Sequence, residues 1–228
     1  MKNNIFTVLV GALLFATPCQ DYAAESRNTA KPTNTRLMNS GETLEQQLTR
    51  QEGFSATAYP DRDHYSIGYG MFLKNPEAPH RLRTMGLDYS LIIKKQQRVS
   101  ESQARKIFYE DIVTARSGAR QTIREYDSQP KKVQDILANM VYNMGLPRFN
   151  GFKKLKQHIE SKNYVMAAEA MRRSDWYKDT KTHRRAEELR QQMLTVAQSY
   201  KSRAMIAAKQ SSQRHYQKSV TIEIVPTR

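Results

Sequence analysis

From Ser100 onward the apolar residues fall at three- and four-residue intervals, the spacing of α-helices with one buried face. Ala104, Ile107, Phe108, Asp111/Ile112, Ala115, Ala119 and Ile123 form a first stripe. Val133, Ile136, Leu137, Met140, Val141 and Met144 form a second, stopped by Gly145 and Pro147. Leu155 and Ile159 open a further helix, Tyr164 to Met171 another, and Leu189, Met193, Val196, Tyr200 and Ala204 sustain the last. Before Ser100 the pattern differs. Thr43-Leu44-Glu45-Gln46 fits a capping box that opens a short helix ending at Gly53. Residues 54–59 and 64–71 read as two strands around a Pro60-Asp61-Arg62-Asp63 turn, and residues 74–80, with Pro76 and Pro79, as a loop. The chain ends on Val220-Thr221-Ile222-Glu223-Ile224, an alternating, strand-like run. The outline is an α+β chain without internal repeats: a small N-terminal hairpin lobe followed by a larger helical lobe.

The first 41 residues stand outside this pattern. Met1-Lys2-Asn3-Asn4 is a weakly positive start, residues 5–16 are an apolar run, and Ala23-Ala24 supplies the small residues of a cleavage site. That is the three-part layout of a secretory signal peptide, and the run is too short to span a bilayer, which takes about 20 residues. Residues 1–24 are therefore expected to direct export to the periplasm or medium and to be removed near Ala24. Two alternatives are a retained, transient inner-membrane anchor and lipidation at Cys19. Residues 25–41, rich in Asn, Thr, Ser and Lys, read as a linker.

Charge narrows the partners. Among 228 residues the formal net charge is +15, which points to an anionic partner: nucleic acid, a membrane surface or an acidic cell-wall polymer. Residues 201–228 carry six Lys/Arg against Glu223 alone, a basic C-terminal extension. With Cys19 the sole cysteine and five scattered histidines, neither an intrachain disulfide nor a metal site is expected, and no cofactor. Gly68-Tyr69-Gly70 is no nucleotide loop, since no third glycine or helix follows at the required spacing.

The candidate chemistry lies in residues 52–70. Leu44, Leu48 and Glu52 are spaced four apart, so Glu52 shares a helix face with two leucines and sits in the last turn before Gly53. A carboxylate at the negative end of a helix dipole, partly desolvated on an apolar stripe, is disfavoured as an anion, which suits a general acid. A lone glutamate so placed is more simply a surface residue. Its neighbours alter that reading.

Glu52-Gly53-Phe54, Ala58-Tyr59-Pro60-Asp61 and Ser66-Ile67-Gly68-Tyr69-Gly70 resemble the active-site segment of phage-type lysozymes, glycoside hydrolase family twenty-four: Glu-Gly, a Tyr, an Asp nine residues after the Glu, then a Thr-Ile-Gly-Tyr-Gly strand. The resemblance continues in order, most fully toward the T-even phage members. It runs through residues 104–113, Tyr126-Asp127-Ser128, the Asn139-to-Gly145 stretch, Gly151-Phe152, Ala167-Ala168, Ser174-Asp175-Trp176-Tyr177 and Arg184-Arg185-Ala186-Glu187, so that it covers residues 42–200.

That resemblance implies a lysozyme-like fold with the active-site cleft between a hairpin lobe and a helical lobe. It implies a monomeric muramidase whose partner is bacterial peptidoglycan rather than nucleic acid, and it leaves room for transient membrane contact. Glu52 would protonate the glycosidic oxygen between N-acetylmuramic acid and N-acetylglucosamine. Asp61 would be the ionised partner that places a water, with Asp63 ranked below it for the same role. Ser66, in the Thr position, would help hold that water for an inverting hydrolysis. Arg185 would be the charge partner of Glu52, and Phe72 and Tyr142 would line the sugar cleft. Leu155 and Ala170 occupy two further sugar-contacting positions without polar side chains, so those roles do not transfer. Four residues separate Asp61 from Ser66 where the family has five, the turn lacks its usual Gly, and Met71 replaces a frequent His, so a tighter hairpin tip is expected. The competing reading is a non-catalytic cationic wall binder on the same fold. Retention of both Glu52 and Asp61 favours the enzyme.

Overall fold

The computed structural model describes residues 41–61 and 64–222, with side-chain surroundings through residue 214. The segments expected as signal peptide and linker up to residue 40, with Cys19, as well as Asp63 and residues 223–228, lie outside the described residues.

The first helix, α1 (Leu44–Glu52), begins where the capping box places it. The Gln46 amide donates to Thr43 Oγ1 at 3.2 Å, and the Thr43 amide donates to Gln46 Oε1 at 2.9 Å. Gly53 ends the helix at a φ of 68°, a left-handed value that glycine adopts without strain. A three-stranded antiparallel sheet follows in the order β1 (Ser55–Asp61), β2 (His64–Gly68), β3 (Met71–Phe72). Two expectations change here. Pro60 and Asp61 belong to β1 rather than to a turn, because the ladder runs out to the Asp61–His64 pair and leaves only residues 62 and 63 between the strands. The second expected strand is split, since Tyr69-Gly70 turns the chain back and folds Met71–Phe72 onto β2.

Two short helices, α2 (Ala78–Arg83) and α3 (Tyr89–Ile93), occupy stretches without helical periodicity. Pro79 stands in the first turn of α2, where a missing N–H costs nothing. The same logic makes Pro147 a starter of α6 (Leu146–Asn150) rather than only a stop for α5 (Lys131–Met144). Helix α4 (Glu101–Thr122), 22 residues and about 33 Å long, carries a second capping box from Ser100 and Gln103. The remaining helices are α7 (Lys153–Glu160), α8 (Tyr164–Arg172), α9 (Asp175–Lys178) and α10 (His183–Ile222). The strand-like run at the C-terminus is a misreading as far as it can be followed: residues 220–222 continue α10.

Two apolar clusters form the interior. One joins Leu44 and Leu48 of α1, Ile67 and Met71 of the sheet, Tyr69 of the turn between them, α2 and α3 to the first half of α4. The other joins Ala115 and Ala119 at the far end of α4 to α5 and the later helices, around the buried Trp176. Thus α4 is the shared strut of the two lobes, and Tyr142 on α5 packs against both clusters. The strut meets the sheet at Gly68, where a Cβ would stand 3.0 Å from the Ala104 Cβ.

Candidate active site

The sheet sets five side chains on one face. Ser66, on the central strand, is opposite Tyr59 of β1 and opposite Phe72 of β3, and Asp61 is opposite His64. Directly opposed residues share a face, and residues two apart on a strand share it too. Tyr59, Asp61, His64, Ser66 and Phe72 therefore form one patch. Within it Ser66 Oγ donates to Asp61 Oδ2 at 3.4 Å, His64 Nε2 stands 3.6 Å from the same oxygen, and the His64 ring meets the Phe72 ring edge-on at 4.3 Å. Ser66 is buried at 1% exposure, whereas Asp61 is open to solvent over 48% of its side chain.

Glu52 comes from the end of α1. Its side chain is 21% exposed and takes a hydrogen bond from Arg185 Nη2 to Oε1 at 2.6 Å. The other oxygen, Oε2, faces the β2–β3 turn, where a Cβ on Gly70 would lie 3.4 Å away. Glycine at this position (φ 91°) leaves that oxygen uncovered. A second set of bonds fixes the helix itself. Glu188, one turn after Arg185 on α10, accepts from Gln47, Arg50 and Gln51 of α1. Burial pushes the Glu188 carboxyl up, but its bonds from Arg50 and Gln51 outweigh burial and hold it below the usual range. Asn139 of α5 completes the clamp by donating to Gln51 Oε1 at 3.0 Å.

Tyr59 and Tyr142 report on how these parts stand together. Burial is the largest influence on the Tyr59 phenol, followed by the negative charges of Asp61 and Glu52; all three push it up, and a bond with Ser66 opposes them. Tyr142 is pushed far above the ordinary tyrosine range by burial first, then by Glu52 and Asp111. Its hydroxyl donates to the Tyr69 carbonyl at 3.1 Å, which anchors α5 to the strand end. Both phenols therefore stay protonated well into the alkaline range. The Tyr59 phenol thus feels both carboxylates, Asp61 more than Glu52.

Of the residues singled out in the sequence, Glu52 and Arg185 are in direct contact, as are Asp61 and Ser66. Phe72 is exposed beside Ser66, and Tyr142 neighbours Glu52. Tyr59 and His64 were not picked out as site residues. The signal for Tyr59 was its two-residue spacing from Asp61, which puts both on one strand face; His64 becomes a neighbour only once the hairpin pairs it with Asp61. Among the described residues no three His, Cys, Asp or Glu side chains converge as metal ligands. A carboxyl group held by a guanidinium, and a solvent-open carboxylate beside a buried hydroxyl, are the equipment for acid-assisted hydrolysis by water.

Known proteins carry the same arrangement of sequence. The chain is 29% identical over 154 residues to a protein of Dictyostelium discoideum described as probable T4-type lysozyme 2, covering 63% of this chain and 88% of that one. The profile of the phage lysozyme family matches residues 49–192, from the turn that carries Glu52 to the helix that carries Arg185. The chain belongs to the phage lysozyme family, glycosidases that act on peptidoglycan.

Proposed function

We propose that the chain cuts the β-1,4 bond between N-acetylmuramic acid and N-acetylglucosamine in peptidoglycan, with inversion, as a monomer. Glu52 is the general acid: its Oε2 delivers the proton to the glycosidic oxygen while Arg185 fixes the carboxyl through Oε1. The Asp61 carboxylate offsets the oxocarbenium charge that develops on the sugar and takes the proton of the water as that water bonds to the anomeric carbon and the glycosidic bond breaks. Ser66 orients that water through the hydroxyl it shares with Asp61. Phe72 offers an apolar platform to a sugar face, and Tyr142 walls the acid side. The observation that supports the reading is the pairing of the Ser66 hydroxyl with Asp61 at 3.4 Å on the sheet face, with the Glu52 carboxyl held by Arg185 at 2.6 Å and acting on the same Tyr59 phenol as Asp61.

The decisive test is Glu52→Gln. The amide keeps the shape and can still accept from Arg185, but it has no dissociable proton. Purified sacculi incubated with this variant should release no new reducing ends, while its circular dichroism matches the parent and it still unfolds cooperatively. Sacculus digestion at the parental rate would remove Glu52 from the chemistry.

We further propose export through residues 1–24, supported by the apolar run and the Ala23-Ala24 pair. Periplasmic protein should then begin at or near Glu25. A form still starting at Met1 and sedimenting with membranes would favour the retained anchor.

A further inference from the structure

The last helix outruns the body it is packed on. Among the residues whose side-chain surroundings are described, Val196 is the last buried one of α10, and Tyr200, edge-on to Tyr164 at 5.4 Å, makes its last ring contact with the core. Every side chain from Gln198 to Arg214 is exposed, and the helix continues to Ile222. Residues 201–222 would extend about 33 Å at 1.5 Å per residue. This stretch is also uniform in sign: Lys201, Arg203, Lys209, Arg214 and Lys218 are its charged residues, with no acid among them. None of the first four is paired with an acid among the described residues, although ion pairs are frequent elsewhere on the surface.

What this arm fits follows from charge. Residues 1–40 carry four Lys/Arg against two acids, and the chain up to residue 200 is itself strongly basic. Neither the chain's own N-terminal segment nor a second copy offers the opposite sign, so the partner is anionic and external. A polysaccharide or polyphosphate would satisfy the cations alone. The arm also exposes two large apolar residues among them, Met205 at 64% and Ile206 at 57%. Cations interleaved with exposed apolar side chains suit a headgroup interface, where the charges meet lipid phosphates and the apolar tips enter the acyl boundary. We propose that residues 201–222 are a docking arm for an anionic phospholipid membrane, which would keep the catalytic body beside a membrane-adjacent wall. The arm is separate from the hydrolytic site, so each can fail without the other.

Vesicle flotation of the full chain tests this. The chain should partition onto vesicles of one part phosphatidylglycerol to three parts phosphatidylethanolamine far better than onto neutral phosphatidylcholine. Replacing Lys201, Arg203, Lys209 and Arg214 together by Gln keeps good helix formers at exposed positions. Each cation near an anionic surface is worth roughly fivefold in partitioning, so this variant should bind the anionic vesicles at least about 50-fold less at low salt, with sacculus digestion unchanged. The apolar run at residues 5–16 is common to both proteins and cancels in the comparison. A second variant, Met205→Ser with Ile206→Ser, should retain low-salt capture but lose the fraction that survives 300 mM salt. Equal vesicle binding by parent and Gln variant would overturn the proposal. So would arm-dependent binding to purified sacculi without vesicle binding, or salt-resistant capture indifferent to Met205 and Ile206, either of which would assign the arm to a wall polymer.

Discussion

Arg185 Nη2 lies 2.6 Å from Glu52 Oε1, which ties the start of the last helix to the end of the first across 133 positions of sequence. The same two helices are bonded with opposite polarity one turn away, where Arg50 of α1 meets Glu188 of α10. The acid's position thus depends on a two-point clamp rather than on the hairpin lobe. Replacing Arg185 by Met would leave a largely buried carboxylate without its donor. Lost charge-assisted bonds of this kind cost about 2 kcal/mol, and the loosened carboxyl should lower sacculus digestion about 10- to 100-fold. Arg185→Lys keeps the charge but not the planar fork, so it should recover part of the stability in urea unfolding and less of the rate.

Gly68 and Gly70 separate fold from chemistry. Both have left-handed φ values, 66° and 91°, so alanine is strained at either place. At Gly68 the new methyl would also meet the Ala104 Cβ at 3.0 Å on the α4 strut, whereas at Gly70 it would stand 3.4 Å from Glu52 Oε2. Gly68→Ala should therefore show the larger loss in thermal midpoint, on the order of 2 kcal/mol or more. Gly70→Ala should show the larger loss of kcat relative to its loss of stability. Reversal of that order would place Oε2 away from the working face of the acid.

Acid lability should track Glu187. Its bonds from Arg190 lower its carboxyl most, burial opposes them, and Tyr177 and Gln191 lower it further, to about 2. The unfolded value is near 4.3, so the folded state is favoured above about pH 5 and that contribution fades as pH falls through 4 toward 2. Glu187→Gln should lower stability by about 1–2 kcal/mol at pH 6, allowing for its partial exposure, and by almost nothing at pH 2. Glu188, also lowered, adds to the acid loss that remains in that variant. A constant deficit across the whole range would mean that the Tyr177–Arg190 arrangement does not depend on the Glu187 charge.

The sequence was most legible where one local rule acted alone. The capping box at Thr43 and the stripes through Ile107 and Ile136 stand where spacing puts them. Short helices escaped because α2, α3, α6 and α9 contain at most six residues, less than two full turns, too few for a 3.6-residue period to show. Val220–Ile222 misled for a related reason, since three residues alternate as well within a helix as within a strand. In the site, Glu52 was readable from its leucine-lined face and its family pattern. Tyr59 carried only its two-residue spacing from Asp61, and His64 carried no signal at all, because its role arises from cross-strand register, which depends on a hairpin tip whose length differs from the family's. The polar clamp of Gln47, Arg50 and Gln51 on Glu188 was equally invisible, since nothing local marks a partner some 140 residues away.

The shortened hairpin bears most directly on Ser66. The missing residue between Asp61 and Ser66 does not separate them: the ladder pairs Asp61 with His64, and Ser66 Oγ stands 3.4 Å from Asp61 Oδ2. That is a long bond, so the hydroxyl is available to a water that bridges it to Asp61. Ser66→Ala should then lower kcat about 10- to 100-fold with little change in KM, because the water rather than the sugar loses its guide. Ser66→Thr restores the family's residue and favours the strand, and it should keep most activity if the buried site admits the methyl. If water attacks from the Asp61 side while Glu52 protonates from the other, a β-linked oligosaccharide must give the α-anomer as its first product by proton NMR. Initial appearance of the β-anomer would instead require Asp61 to bond covalently to the sugar, and Ser66→Ala would then slow only the second, water-consuming step.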